Sequence, residues 1–352
     1  MESRKVQKVG AATLTISLPK EWAKQRSLKK GDQVYIVEDG EALKVLPGPP
    51  ADGRHRAATE FIVDADLCEE PGILERVIVG NYVWGREKII VRSALRLRSE
   101  HQDEVRRATR RLMGIGIIDE SPSKVVLQCS IDPSNFPLEA LIKRLYSLGA
   151  TMLSESLEAL ITRDAVLADD ALKREDDADM IYWLILRLVM SAQVDDALVE
   201  RLGMRSRLEI LGDRVISRDL EALADHCCDI ARCAKEVIAQ DVRVPGSIAK
   251  ALQGLADAIG QAYGKALDGL FSRDLKLANE AIRLSAGLEK REQDLLRLVL
   301  KEFKDPRAVV PLRGIQSSLA RIGEYAQSMA VIACNRYLEK PSNLCRPAMA
   351  PT

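Results

Sequence analysis

The chain has 352 residues, enough for two or three domains of ordinary size. Its 52 basic residues balance its 52 acidic ones, which excludes a histone-like partner or an acidic tail and makes any nucleic-acid function a local property. With 47% hydrophobic, 30% charged and 4% aromatic residues, the composition suits helices rich in Leu, Ala, Arg and Glu and excludes disorder and collagen-like repeats. The most apolar run, Met180 to Met190, is 11 residues long and contains Arg187. A bilayer span needs ~20 apolar residues. Residues 1–14 also lack the unbroken apolar stretch of a signal peptide, so a cytoplasmic chain without membrane insertion is expected. Seven cysteines, at 68, 129, 227, 228, 233, 334 and 345, form no Cys-x-x-Cys pair and read as reduced, mostly buried thiols. His55, His101 and His226 leave little material for His-based catalysis or a His-rich metal site.

Residues 1–30 hold eight basic residues against two acidic ones, a local excess of six positive charges. In this part Lys5 to Lys8, Thr13 to Leu18, Gln33 to Val37 and Leu43 to Leu46 are predicted strands, with turns at Gly10 and Asp39-Gly40. Pro19 opens a short predicted helix, Lys20 to Gln25. Pro47-Gly48-Pro49-Pro50 and Asp52-Gly53 then mark a linker, closing a first unit at 1–47. Four short strands and one helical turn bury little surface, so dimerisation is the expected remedy.

A small α+β module follows at 55–135. Strands are predicted at Glu60 to Asp64, Lys88 to Arg92, Gly116 to Asp119 and Val125 to Ile131, with helices near Ile73 to Tyr82 and Glu100 to Met113. Gly114-Ile115-Gly116 lacks a third glycine and a strand-then-helix context, and reads as a turn into a strand. The module carries no signature of its own; an effector site or a simple coupling of the two ends fits it equally.

From Pro137 to Tyr337 the period is helical throughout. Ile216, Leu220, Leu223, Cys227, Ile230, Ala234 and Val237 alternate spacings of four and three, a heptad seam. Breaks at Gln193 to Asp195, Gly203, Pro245-Gly246, Ser272 and Pro306 divide the region into about six helices of an antiparallel bundle. Arg163-Asp164-x-x-Leu167-Ala168 recurs as Arg273-Asp274-x-x-Leu277-Ala278. Leu220 to His226 recurs more loosely as Leu319 to Tyr325, so two three-helix repeats are expected, at 137–243 and 247–338, with a flexible tail at 339–352. The fold class is α+β multidomain: a β-rich amino-terminal unit, the α+β module and an all-α tandem bundle.

Glu175 and Asp179 lie four apart on one predicted helix, and Glu221 and Asp225 four apart on another, with Asp229 one turn further. Like charges at this spacing destabilise a helix by a few tenths of a kcal/mol unless neutralised, which a hard cation would do. A solvated acidic face is the plainer reading of the same spacing. At ~100° per residue Glu221 and Asp225 sit nearly opposite the seam and point outward. A Glu-x-x-His di-iron site is not expected, because no His stands three after any of these acids and the acids do not point inward, and His226 reads as a surface or packed residue.

At these residues the chain resembles the PhoU family of phosphate-uptake regulators, tandem three-helix bundles with Glu-x-x-x-Asp motifs. The resemblance covers about 137–338 and rests on Arg163-Asp164, Glu175-x-x-x-Asp179 and Leu220-Glu221-x-x-x-Asp225-His226. It implies a divalent or trivalent metal ion (iron, Mn, Mg or Zn) on the bundle surface, held by Glu175, Asp179, Glu221 and Asp225. The second repeat departs from the pattern: counted from Asp274, Ser285 and Glu289 stand in the places of Glu175 and Asp179, and Ala320 and Glu324 in those of Glu221 and Asp225. A metal site in the first repeat alone is therefore expected.

The first 46 residues, through Val6-Gln7-Lys8-Val9-Gly10, Thr13 to Trp22 and Leu28 to Val34, are similar to the AbrB/SpoVT/MazE type of swapped-hairpin DNA-binding domain. The similarity implies an interlocked homodimer in which Arg4, Lys5, Lys8, Lys20 and Lys24 meet DNA phosphates and Gln7, Thr13 and Thr15 add polar or groove contacts. A module that only dimerises the chain is the alternative. Both halves together resemble the arrangement of archaeal phosphate-uptake regulators, which implies action on DNA, on the ATPase of a phosphate ABC transporter or a sensor kinase, or both. An enzyme is not expected: no phosphate-binding Gly-x-x-x-x-Gly-Lys-Ser/Thr loop, Gly-x-Ser-x-Gly elbow or His-Glu-x-x-His run is present.

Overall fold

The structure is a computed structural model that describes residues 3–10, 13–39, 42–48 and 60–348. It divides into two compact units, Met1–Ala58 and Thr59–Thr352. In the first, strand β1 (Gln7–Val9) pairs antiparallel with β2 (Thr13–Thr15), helix α1 spans Lys20–Gln25, and β3 (Tyr35–Asp39) pairs antiparallel with β4 (Ala42–Leu46). Gly10 makes the first turn at φ 70°, a left-handed conformation that suits glycine. The expected turn residue Gly40, and the linker from Pro49 through Gly53, lie outside the described residues. Strands β1 and β2 are shorter than predicted: Lys5 and Val6 precede the first, and Ile16 to Leu18 leave the second before Pro19 opens α1.

The second unit begins with the α+β module. Strand β5 (Glu60–Asp64), helix α2 (Ile73–Val83), β6 (Lys88–Arg92), α3 (Ser99–Arg111), β7 (Ile115–Ser121) and β8 (Lys124–Cys129) build a sheet of order β5-β6-β8-β7. The β5–β6 pair is parallel across the α2 crossover, and the remaining pairs are antiparallel. Alternation on the central strands sends Ile89 and Val91, with Val125, Leu127 and Cys129, into one core with Leu74, Ile78 and Tyr82 of α2 and Val105 and Ala108 of α3. The buried Glu104 carboxylate accepts the backbone N–H groups of Gly72 (2.8 Å) and Glu75 (3.0 Å), capping α2 from α3. Against burial, which pushes it up, these two hydrogen bonds together with the nearby Arg107 charge hold its carboxyl below the usual range.

The bundle consists of α4 (Leu138–Thr162), α5 (Ala165–Lys173), α6 (Glu175–Ala192), α7 (Asp196–Arg201) and α8 (Glu209–Ala239), then α9 (Gly246–Ser272), α10 (Leu275–Ala286), α11 (Leu288–Glu302) and α12 (Pro306–Tyr337). Three breaks beyond those predicted, at Arg163-Asp164, Arg174 and Gly287, explain why there are more helices than the predicted six. Arg163 (φ 62°) and Arg273 (φ 55°) end α4 and α9 in the left-handed conformation. The next residue restarts the chain: the Asp164 carboxylate accepts the N–H groups of Val166 and Leu167, and Asp274 accepts those of Lys276 and Leu277. Only Arg174 separates α5 from α6, and only Gly287 separates α10 from α11, so each pair acts as one bent middle helix of a three-helix repeat. All seven residues of the predicted seam on α8 are at most 1% exposed, in a core that runs through both repeats. Gly149 on α4 permits the close α4–α8 packing, since a Cβ there would stand 2.1 Å from Leu223 Cδ2.

The module is fixed to the bundle by an arginine. Arg187 of α6, 7% exposed, donates to the backbone carbonyls of Tyr82 (2.6 Å), Arg86 (3.0 Å) and Gly85 (3.2 Å), satisfying the end of α2. Among the described residues no helix is long and apolar enough to cross a membrane. All seven cysteines are free, and Cys68, Cys129, Cys227 and Cys228 are buried.

Candidate functional sites: a basic hairpin unit and an acidic helix face

In the first unit every predicted DNA-contacting residue is exposed except the half-buried Thr15, whose hydroxyl donates to the Gln7 carbonyl (3.3 Å). The hairpin register separates these residues. Gln7 pairs with Thr15 and Val9 with Thr13 on one face, while Lys8 pairs with Leu14 on the other. Lys20 and Lys24 stand one turn apart on α1 and so share a helix face. Among the described residues, Lys5, Lys8, Lys20 and Lys24 make no ion pair. The unit also has no buried residue among those described. Val6, Val9, Leu14, Ile16, Ile36 and Leu43 are each more than half exposed, and Ile36 and Leu43 lie on the same face of the β3–β4 pair.

In the bundle the four predicted metal ligands come together across α6 and α8, where Asp179 and Glu175 act electrostatically on Asp225, and Asp225 and Asp179 on Glu221. They were expected to face outward. The structure half-buries them instead, leaving the side chains of Glu175, Asp179 and Glu221 40%, 16% and 18% exposed. Burial and the neighbouring Asp225 push the Glu221 carboxyl up to about 7, and burial with Asp179 and Glu175 raises Asp225 as well. The Cys228 thiol beside Glu175 is pushed up to about 12, first by burial and then by that carboxylate. His226 is packed, its ring stacked on Tyr325 with centroids 6.0 Å apart.

Three of the four carboxylates already have arginine counter-ions: Asp179 with Arg111 (2.6 Å), Glu221 with Arg218 (2.8 Å) and Glu175 with Arg232 (3.5 Å). Among the described residues no group of three or more His, Cys, Asp or Glu side chains is placed to hold a metal ion. The donor chemistry suits a hard cation, and in this arrangement arginines engage three of the four carboxylates. Arg111 is the participant that sequence spacing could not find. It arrives from the end of α3 in the module and also bonds Glu75 of α2 (3.3 Å). Glu292 on α11 was missed as well. Because α10 has 12 residues and α5 has 9, a constant offset counted from Asp274 runs three residues short. With the starts of α6 and α11 aligned, Glu292 takes the place of Asp179, and burial together with Glu324 and Glu289 raises its carboxyl.

The fold and this face define a tandem three-helix-bundle protein with a small β-hairpin unit before it. The PhoU domain matches residues 142–234 and 252–333, and the antidote-toxin recognition MazE domain of bacterial antitoxins matches residues 7–52. The chain therefore belongs to the PhoU family of phosphate-homeostasis regulators, carrying two PhoU domains behind a MazE-type domain. Among solved structures it is similar to PhoU from Pseudomonas aeruginosa at 20% identity, over 58% of this chain and 96% of that one, with a TM-score of 0.48. No curated protein matches this chain.

Proposed function

We propose that the chain is a cytoplasmic, DNA-binding regulator of phosphate uptake. On this reading it works as a homodimer through its first unit and senses through the acidic face of its bundle. The observation that carries the proposal is the first unit itself, where, among the described residues, Lys5, Lys8, Lys20 and Lys24 make no ion pair and no apolar side chain is buried. Uncompensated cations on short strands and a helix suit phosphate contacts, and the exposed aliphatic residues suit burial against a second copy. The test is selection of genomic DNA fragments by the full chain at two salt concentrations. Enrichment upstream of phosphate-transport genes is expected. Lys5→Ala with Lys20→Ala is expected to lower the log–log salt slope by about 3 to 4 for a dimer, roughly one per lost phosphate contact. An unchanged slope defeats the phosphate role of these lysines.

A second reading is an adaptor that contacts a phosphate ABC transporter ATPase or a sensor kinase, with the first unit as a dimer clip. It is favoured by one surface: Leu208, Leu211 and Val215 of the α8 end are 72%, 75% and 39% exposed and flank a groove of about 740 Å³ against α12. Absence of DNA enrichment, with capture of either partner that is lost in Leu211→Ser, selects this reading. The metal implied by family resemblance is a proposal of its own. Glu221→Ala with Asp225→Ala is expected to remove any iron, Mn, Mg or Zn that the purified chain carries, with helix content unchanged, and full metal occupancy in that variant refutes the assignment.

A further inference from the structure

Where the module meets the bundle, α2, α3, α6 and α8 enclose a cleft of about 500 Å³. That volume falls within the range of small-molecule sites, and a junction between structural parts is where such sites concentrate. Its lining combines two indoles, Trp84 and Trp183, with three guanidinium groups, Arg76, Arg111 and Arg214, and a single carboxylate, Glu75. Glu75 is already held by Arg107 (2.9 Å) and Arg111 (3.3 Å). Arg76 and Arg214 make no ion pair among the described residues; Arg214 donates only to the Tyr182 hydroxyl at 3.2 Å. Trp84 leaves 65% of its surface in solvent, and the buried indole N–H of Trp183 has no acceptor. An exposed indole, an indole N–H without an acceptor and, among the described residues, two guanidinium groups without an ion pair are thus gathered in one concave place, the Trp183 ring itself packing on Tyr182 at a centroid distance of 5.1 Å.

We propose that this cleft binds a mononucleotide, with the base stacked on the indoles and the phosphate held by Arg76 and Arg214. Indole and guanidinium planes stack on any nucleobase, and guanidinium forks match phosphate oxygens bidentately. An inorganic phosphate would use the arginines and leave the two tryptophans idle, and a purely apolar ligand would do the reverse. The cleft also connects to the acidic face. Arg111 lines it and holds Asp179 at 2.6 Å, so a phosphate that draws on Arg111 alters the counter-charge of that face. This coupling rests on the sensing role proposed above, whereas binding itself does not.

The test is calorimetric titration of the full chain with ADP, GDP, CDP and UDP, with adenosine and inorganic phosphate as controls. At least one diphosphate is expected to bind with 1:1 stoichiometry and both controls at least about tenfold more weakly. Arg76→Gln with Arg214→Gln, and separately Trp84→Ser at its exposed position, are each expected to weaken that binding about tenfold or more while the thermal midpoint stays in place. No binding by any of the four diphosphates overturns the proposal. Phosphate binding as tightly as the nucleotides overturns it too, as does nucleotide binding that neither variant changes. A chain that binds nucleotide yet selects no DNA would separate this site from the regulatory reading.

Discussion

Asp213→Ala is expected to destabilise the folded chain by about 3 kcal/mol, the scale on which removal of one partner from a buried ion pair is felt. Asp213 and Arg336 are 2% and 6% exposed and meet at 2.7 Å, joining α8 of the first repeat to α12 of the second. The charges around them belong to the same network: Arg273, at the end of α9, pairs with Glu209 and with Glu339 (3.2 Å). Truncating Asp213 leaves the Arg336 guanidinium desolvated without its carboxylate. Replacing both residues, as Asp213→Leu with Arg336→Met, is expected to restore stability to the parent value or above it, because the desolvation of both charges disappears along with their attraction.

The pH dependence supplies a second readout. Burial lifts the Asp213 carboxyl from an ordinary 3.8 to about 6 against the pull of Arg336, with Glu209 and Glu339 adding to the rise. The folded state therefore holds this proton more tightly than the unfolded state. Its contribution to stability is complete below about pH 3.8 and is lost as pH rises through about 6. Urea unfolding at several pH values should show that decline in the parent chain and a flatter profile in the double variant. A single variant within about 0.5 kcal/mol of the parent would mean that the network does not join the repeats.

Local patterns in the sequence carried much of this architecture. Helix α1 and strands β5 and β6 follow their predicted bounds, because a proline start or a run of β-branched residues between turn signals is a property of a few adjacent residues. The buried seam of α8 was legible for the same reason, since a heptad spacing fixes one helix face. What escaped was set by distant residues. The acids of α6 and α8 looked solvent-facing because spacing reports only their own helix, while Arg111, 68 residues before Asp179, reaches that carboxylate from the module. The break at Ser272, before Arg273-Asp274, was legible, but its counterpart at Arg163-Asp164 was not, because it depends on the left-handed backbone of Arg163. The opposed placement of Lys8 against Gln7, Thr13 and Thr15 follows from the register across Gly10, and composition holds no register.

That first unit yields the other large expected effect. If the chain dimerises through its first unit as proposed, Leu14→Ser with Ile36→Ser and Leu43→Ser should convert it from dimer to monomer at micromolar concentration and abolish the proposed specific DNA binding. These side chains are 69%, 64% and 64% exposed, and two of them share one face of the β3–β4 pair. A unit with two-stranded sheets, one six-residue helix and no buried residue among those described cannot offset its conformational entropy alone. Full burial of a Leu or Ile contributes about 1.5 to 3 kcal/mol. Three such side chains per protomer, discounted for the cost of association, leave several kcal/mol, or a weakening of self-association by about a thousandfold or more. Sedimentation equilibrium reads the mass against the 39.0 kDa of one chain. The bundle provides the internal control, since its helicity and unfolding midpoint depend on a core that none of the three residues enters. If the triple variant stays dimeric and still selects the same DNA fragments, those aliphatic faces are not the dimer contact. A monomeric variant that loses DNA binding with its bundle intact ties the basic surface to a pair of chains, because an operator of two half-sites needs two copies of Lys5, Lys20 and Lys24 at a fixed distance.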